Sequence, residues 1–367
     1  MFGELKRIMK MFSTTSILFL AVALGAGAGI IATALTMGSL QDYFSVISNS
    51  GPIGLSGERP RAEPGSFEQA VEEVKEKVAP ATVEIFVAPS DLTGAYEPGE
   101  GGASGFFITS DGWLATIPYG FNITESGSTK VLFGEKIYSI QKVVRDSSSA
   151  VVFLKIDVTN APVTAFGNAL SVVSGDRLFV VGAANGFLAT SLFRTVRTGA
   201  ISGPAAWVSR RFELNQKINS LFSGAAVSNS SGEVIGILDA NNFSETVTVL
   251  PFTAIKSAID SLLKEGTVTP LWFGAVATDL SRAIGYDADY TRGYSQGALL
   301  GTITKGGPAE VAGLLRGDIV TSVGGLEITD QQSLDELLSA YRVGDTVNLV
   351  IDRAGTFSKI DLILGTH

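Results

Sequence analysis

Residues 104–116 read SGFFITSDGWLAT, two apolar runs rich in aromatic and β-branched residues on either side of Ser110-Asp111-Gly112. The same grammar repeats in both directions. ATVEIFVA (81–88), KVLFG (130–134), YSIQKVV (138–144), AVVFLKID (150–157), RLFVVGAA (177–184) and GEVIGILDA (232–240) are short strand-like runs broken by Gly, Asp and Asn. Helical windows are few between residues 81 and 250. Many short strands at close spacing predict an all-β barrel or sandwich for this stretch.

Helical patterns bracket it. Ser66 and Gln69 have the spacing of a capping box, and Phe67, Ala70, Val71, Val74 and Val78 mark one apolar stripe that Pro80 stops. Glu68, Glu72, Glu73 and Glu76 fall on a solvated face, paired in part with Lys75 and Lys77. Downstream, FTAIKSAIDSLLK (252–264) is amphipathic, with Ile255, Ile259, Leu262 and Leu263 on one side and Gly266 as its stop. A second unit starts at Leu271. It reads as a short strand FGAVA, the strand ALLGTI, a GGPAEVAGL turn-helix, the strand DIVTSVGG, the helix DQQSLDELLSAY (330–341), and the strands TVNLVIDR and SKIDLIL. That mixture fits one compact α+β module.

At 367 residues the chain exceeds one ordinary core, so two or three folded units are expected. A composition 45% hydrophobic and 17% charged excludes a disordered chain. The net charge of −9 argues against a nucleic-acid binder, which needs a basic face. Cysteine is absent, which excludes disulfides, thiolate nucleophiles and cysteine-ligated metals. The single histidine is His367, so the body of the protein holds no imidazole base. No cofactor is expected, and Asp239, Asp287 and Asp289 read as solvated acids rather than metal ligands.

Residues 11–41 carry no charge, and 14–37 are apolar enough to cross a bilayer, for which about 20 residues suffice. Lys6, Arg7 and Lys10 precede this run, and Asp42 is the first charge after it. The positive-inside rule predicts a cytoplasmic segment 1–13, an anchor 14–37 and everything beyond outside. Ala21-Val22-Ala23 leaves a cleaved signal peptide as the alternative. Residues 38–65, ending in GPIGLSGERPRAEPG, read as a linker.

Four motifs in order resemble those of the bacterial HtrA/Deg-type proteins. Ser104–Ile108 with Ser110–Leu114 resembles GSGxxI–DGxxLTNxH, and DSSSAVVFLKID (146–157) resembles DxxxDLAVLKID. SGAAVSNSSGEVIGI (223–237) resembles SGGPLVNxxGxVIGI, and GGPAEVAGLLRGD (306–318) resembles GSPAxxAGLxxGD. The resemblance implies a mainly β chain: an N-terminal transmembrane helix, a trypsin-like double β-barrel over 66–266 and a PDZ domain over 267–367. It also implies a homotrimer built through the barrels.

Hydrolysis in this family needs a serine, a histidine to take its proton and an aspartate to orient that histidine. Tyr119 stands at the histidine position and Ala150 at the aspartate position. Anchoring the third motif on Val227 and Gly232–Ile237 places Phe222 at the nucleophile, with Ser223 as the fallback nucleophile and Lys217 the nearest substitute base. Phe222 is expected to crowd the turn whose N–H groups form the oxyanion hole. The resemblance therefore implies a pseudoprotease, with an active serine endopeptidase of non-standard centre as the alternative.

The peptide-binding parts persist. Trp272-Phe273-Gly274-Ala275 matches the family's carboxylate-binding loop, in which glycine lets the backbone turn its N–H groups toward a terminal carboxylate. Val276-Ala277-Thr278 is the strand onto which a peptide would add, and Leu334, Leu337, Leu338 and Tyr341 would line the facing wall. The expected partners are C-terminal or exposed peptide segments, the membrane through 14–37 and, as the alternative to a homotrimer, an active sibling protease in a mixed trimer. Quality control of envelope proteins or regulation of a protease is the implied role.

Overall fold

In the computed structural model, residues 65–88, 102–120, 122–125, 127–182, 186–198, 202–205, 210–240 and 247–366 are described. The helix α1 (Phe67–Lys77) begins where its cap predicts, the Ser66 Oγ accepting the Gln69 N–H at 3.1 Å. Gln69 reaches back one residue past the cap, its Oε1 accepting the Gly65 N–H. Ala70, Val74 and Val78 are buried as the stripe predicts, but Phe67 is not. Its ring lies at the surface beneath the Arg177 guanidinium, 5.0 Å away.

Six strands follow: β1 (Thr82–Val87), β2 (Ala103–Phe107), β3 (Trp113–Thr116), β4 (Thr129–Phe133), β5 (Lys136–Arg145) and β6 (Val152–Ile156). They close into an antiparallel barrel in the order β1-β2-β3-β6-β5-β4. Successive side chains point to opposite faces of a strand. Phe107 accordingly joins Val83, Ile85, Leu114 and Leu154 inside this barrel. Its neighbour Phe106 faces a second core, shared with Phe179, Val181 and Ile237 of the next barrel.

That second barrel uses β7 (Arg177–Val181), β8 (Phe187–Arg197), β10 (Arg210–Leu214), β11 (Ala226–Ser228), β12 (Val234–Asp239) and β13 (Thr248–Pro251), in the order β10-β13-β12-β11-β7-β8. Leu178, Val180, Phe212, Val227 and Ile235 fill it. The short strand β9 (Ser202–Pro204) lies between β8 and β10 in sequence but belongs to neither barrel. A single-turn 3₁₀ segment leads into α2 (Lys256–Glu265), which ends at Gly266 in the left-handed conformation with its N–H on the Leu262 carbonyl. The α1 and α2 stripes pack on the core between the barrels. The double-barrel expectation is met.

The C-terminal module contains β14 (Leu271–Trp272), β15 (Ala275–Asp279), β16 (Ala298–Ile303), β17 (Ile319–Val323), β18 (Leu326–Glu327), α3 (Leu334–Leu338), β19 (Thr346–Arg353), β20 (Thr356–Ile363) and β21 (Gly365–Thr366), with single-turn helices at Ala288–Thr291 and, in the expected turn-helix, at Pro308–Val311. Its main sheet runs β20-β19-β17-β16-β15-β9, with β18 beside β17 and a separate β14–β21 pair. The sequence predicts a helix over 330–341, and the structure has only 334–338. At the front, Thr329 Oγ1 accepts the Gln331 and Gln332 N–H groups and holds them in a turn, so the helix starts at the Ser333 cap. At the back, the Tyr341 N–H bonds three residues up, to Leu338 O, which tightens the chain out of the α form.

Among the described residues no helix is long and apolar enough to cross a membrane. The expected anchor, 14–37, lies outside them.

Candidate functional site

The three positions that the resemblance matches to a hydrolytic centre sit on loops of the two barrels. Tyr119 follows β3 and is half-buried. Ala150 is exposed, at the end of a turn organised by Asp146. The buried Asp146 carboxylate accepts the Ser148 N–H at 2.9 Å and both the Ser148 and Ser149 hydroxyls. A methyl group at 150 can neither accept a proton nor orient a base.

Residues 219–224 form the turn before β11. Asn219 Oδ1 accepts the Leu221 N–H at 3.0 Å, Asn219 O accepts the Phe222 N–H at 3.0 Å, and Ser220 O accepts the Ser223 N–H at 2.8 Å. Three successive amides are thus tied inside a 3₁₀ turn rather than aimed at a substrate. Ser223 is fully buried, and its Oγ has no hydrogen-bond partner among the described residues. Its carbonyl accepts the Ser104 N–H at 2.8 Å, joining the turn to the first barrel.

The structure corrects the assignment of Phe222 to the nucleophile position. The family motif places glycine directly after its serine. The residue here that must be glycine is Gly224: its φ is +81°, and a Cβ on it would fall on the Ser104 carbonyl oxygen and within 2.8 Å of Ile117 N. Ser223 has ordinary extended dihedrals, φ −57° and ψ 133°. Ser223 is therefore the motif's serine, as a gap-free reading of 223–237 also gives, and Phe222 stands one place ahead of it. The Phe222 ring covers Gly182, where an added Cβ would come within 2.8 Å of Cδ1. At the positions that match the family's serine, histidine and aspartate, this chain has Ser223, Tyr119 and Ala150.

The loop expected to hold a carboxylate turns at Gly274. Trp272 pairs with Gly365, Phe273 is buried, and Gly274 takes φ +81° with Pro308 Cδ only 2.9 Å from where a Cβ would lie. Ala309 N–H donates to Phe273 O and Thr304 N–H to Gly274 O, which fixes the turn on the following loop. Leu334 and Leu338 are buried in one cluster with Phe273 and Ala275. Val276 lies on β15. Tyr341 lies beyond α3, packed at the edge of the same cluster, with its hydroxyl against Gly324.

Residues 103–237 match the trypsin-like peptidase domain family, and residues 283–364 match the PDZ domain family. The chain is 30% identical over 280 residues to the Rhizobium meliloti protein named "Probable periplasmic serine endoprotease DegP-like", covering 72% of this chain and 53% of that one. It is 27% identical over 286 residues to "Serine protease Do-like HtrA" of Lactobacillus helveticus, covering 72% and 68%. This chain belongs to the HtrA-type family. The first of these relatives is matched over only about half its length. Among solved structures, the HtrA-type protease AlgW with tripeptide superposes with a TM-score of 0.56 at 18% identity, covering 82% of this chain and 97% of that one. The same protease with decapeptide gives 0.53 at 19% identity, covering 82% and 99%. At such identity the likeness concerns the fold.

This HtrA-type chain has a further cluster that the sequence reading did not assemble. Arg197 and Arg210 face each other across β8 and β10. Like charges directly opposed on a sheet repel, and here the C-terminal module supplies the counter-charge. Arg197 Nη2 donates to Asp330 O at 2.9 Å and Glu336 Oε2 at 3.3 Å, and Arg210 Nη1 donates to Gln331 O at 2.8 Å and Glu336 Oε1 at 3.1 Å. Glu336 also accepts the Ser333 N–H, so one carboxylate caps α3 and holds both arginines. The Ser333-x-x-Glu336 capping pattern was the one signal in the sequence that could have marked it. Next to this cluster, Asp239 is half-buried rather than solvated. Burial pushes its carboxyl above the usual range, with Arg211 opposing that shift.

Proposed function

We propose that this HtrA-type chain is a membrane-anchored, extracytoplasmic pseudoprotease whose PDZ groove binds C-terminal or exposed peptide segments in protein quality control or in regulation of a protease. The observation that carries the reading is the turn at Asn219–Ser223. Oxyanion stabilisation is worth about 10²–10³ in rate and needs N–H groups aimed at the developing charge. Here those N–H groups bond within the turn, and no histidine or aspartate stands at the other two positions. This chain offers a serine to attack and nothing to activate it.

The anchor is the uncharged segment 14–37, which the basic Lys6, Arg7 and Lys10 orient with the folded units outside. The protease-fold domain covers 66–266 and the PDZ domain 267–367. Periplasmic naming among relatives supports the compartment. The family resemblance supports a homotrimer assembled through the barrels, or a mixed trimer with an active sibling. Peptides are read through the Gly274 loop and β15, with Leu334 and Leu338 beneath the side chains.

The test uses the purified full chain with a fluorophosphonate probe and unfolded casein. Neither labelling nor cleavage is expected. Labelling that disappears in Ser223→Ala, together with casein cleavage, would establish the endopeptidase reading instead.

A further inference from the structure

A peptide that adds to β15 needs an open edge there, and β15 has none over Val276–Thr278. On one side it pairs with β16, and on the other with β9, a segment of the chain's own second barrel. The register is antiparallel, with Thr278 opposite Ser202, Ala277 opposite Gly203 and Val276 opposite Pro204. One residue on, the Ala205 N–H donates to Ala275 O at 3.0 Å. The segment Ser202–Ala205 therefore runs toward the Gly274 loop, in the direction a C-terminal ligand would take. Ala205 is 4% exposed and buries its methyl in the cluster that contains Phe273, Ala275, Leu334 and Leu338.

Resting on the peptide-binding reading above, we propose that residues 202–205 are an internal ligand of the PDZ groove, which an external C-terminus must displace in order to bind. The two arginines flank this segment in sequence and tie it down. Arg197 precedes it, Arg210 follows it, and both converge on Glu336. The internal segment lacks one thing an external peptide has. Its chain continues beyond Ala205 and so brings no carboxylate to the Gly274 loop. A free C-terminus adds charge-assisted hydrogen bonds there, which are roughly twice as strong as neutral ones. The methyl-sized occupancy at Ala205 points to ligands ending in a small apolar residue. Binding is thereby coupled to release of the β8–β10 end of the second barrel. A groove that is free only a fraction of the time weakens external binding by that fraction.

The experiment uses the full chain in detergent as wild type, as Ala205→Trp, whose indole is too large for the methyl site, and as Arg197→Ala/Arg210→Ala. The probe is a fluorescein-labelled decapeptide ending in Ser-Gly-Pro-Ala with a free carboxylate, and its C-terminal amide is the control. Amide exchange is followed in parallel over 202–205 and over β19 and β20. The expected result is strong protection at Ala205 in the wild type, selective loss of it in both variants, and binding of the acid form at least about tenfold tighter in the variants. Equal affinity in all three proteins, or an unprotected Ala205 in the wild type, overturns the proposal. Absence of binding in every protein would strike the peptide-binding reading instead. The two failures are distinguishable because exchange reports the β9–β15 pairing without any ligand.

Discussion

Arg210 and Glu336 join their side chains at 3.1 Å with only 4% of either exposed. Lys77 and Glu73 meet at 2.9 Å with 50% and 33% exposed. The two contacts differ little in length and greatly in their access to water, which is what sets the strength of an ion pair. The surface pair loses most of its attraction to solvent screening. The buried pair has no water to replace a missing partner, and Arg210 Nε already lacks an acceptor among the described residues.

A double-mutant cycle on Arg210→Met and Glu336→Gln is therefore expected to give a coupling above about 1.5 kcal/mol, read from urea unfolding. The matching cycle on Lys77→Met and Glu73→Gln should give about 0.5 kcal/mol or less. Equal couplings would mean that water reaches Glu336 and that the seam between barrel and PDZ module is wet.

Two glycines with nearly the same backbone separate strain from crowding. Gly120 and Gly224 take φ of +79° and +81°, but a Cβ at 120 would meet nothing within 4 Å, whereas one at 224 would strike the Ser104 carbonyl. Gly120→Ala should cost only the left-handed penalty of about 1–2 kcal/mol. Gly224→Ala should cost at least about 2 kcal/mol more, because Ser104 O already accepts the Thr116 hydroxyl at 2.7 Å and cannot move without breaking that bond. Thermal unfolding of the two variants side by side decides it, and similar losses would show that the turn relaxes around the new methyl.

The elements that follow from local chemistry were legible in the sequence. The strand runs around Ser110–Gly112, the Ser66 cap and the Gly266 stop each act through neighbours a few residues away, and each is found where the pattern puts it. The rest depended on partners far along the chain. Ser202-Gly203-Pro204-Ala205 has the composition of a loop, and becomes a strand only because β15 offers an edge. Asp239 carries no sequence mark of its burial or of the Arg211 charge that opposes the resulting shift. Anchoring on Val227 and Gly232–Ile237 puts the serine position one residue early, at Phe222, whereas the turn requires its glycine at 224. Only the backbone shows which of the candidate positions has no room for a side chain.

Restoring the two absent groups should not restore hydrolysis. Tyr119→His/Ala150→Asp supplies a base and an orienting carboxylate, but the amides of Leu221, Phe222 and Ser223 remain bonded within the turn. With the oxyanion donors turned inward, the double variant is expected to cleave casein no faster than the wild type. Adding Asn219→Gly removes the side-chain acceptor of the Leu221 N–H, and any activity should first appear in that triple variant. Cleavage by the double variant alone, abolished by Ser223→Ala, would show that substrate itself opens the turn.

Asp239 ends β12 beside Arg211, and the pair makes stability depend on pH with a definite sign. Burial holds the Asp239 carboxyl above its ordinary value, with Arg211 partly opposing it. Burial likewise lowers the Arg211 guanidinium, against the pull of Asp239 and Asp335. A carboxyl raised in the folded state binds its proton more tightly there than in the unfolded chain. Its contribution to stability is then fully present below the unfolded value, about 3.9, and is lost as pH rises through the folded value. Asp239→Asn is neutral throughout and cannot follow that curve. The unfolding midpoint of the variant relative to wild type should therefore shift in the variant's favour as pH rises from about 3.5 to about 7. Arg211→Met removes the opposing charge and should make the wild-type slope steeper. A midpoint difference that stays constant over the whole range would mean that the carboxyl titrates alike in both states, and that the seam does not dehydrate it.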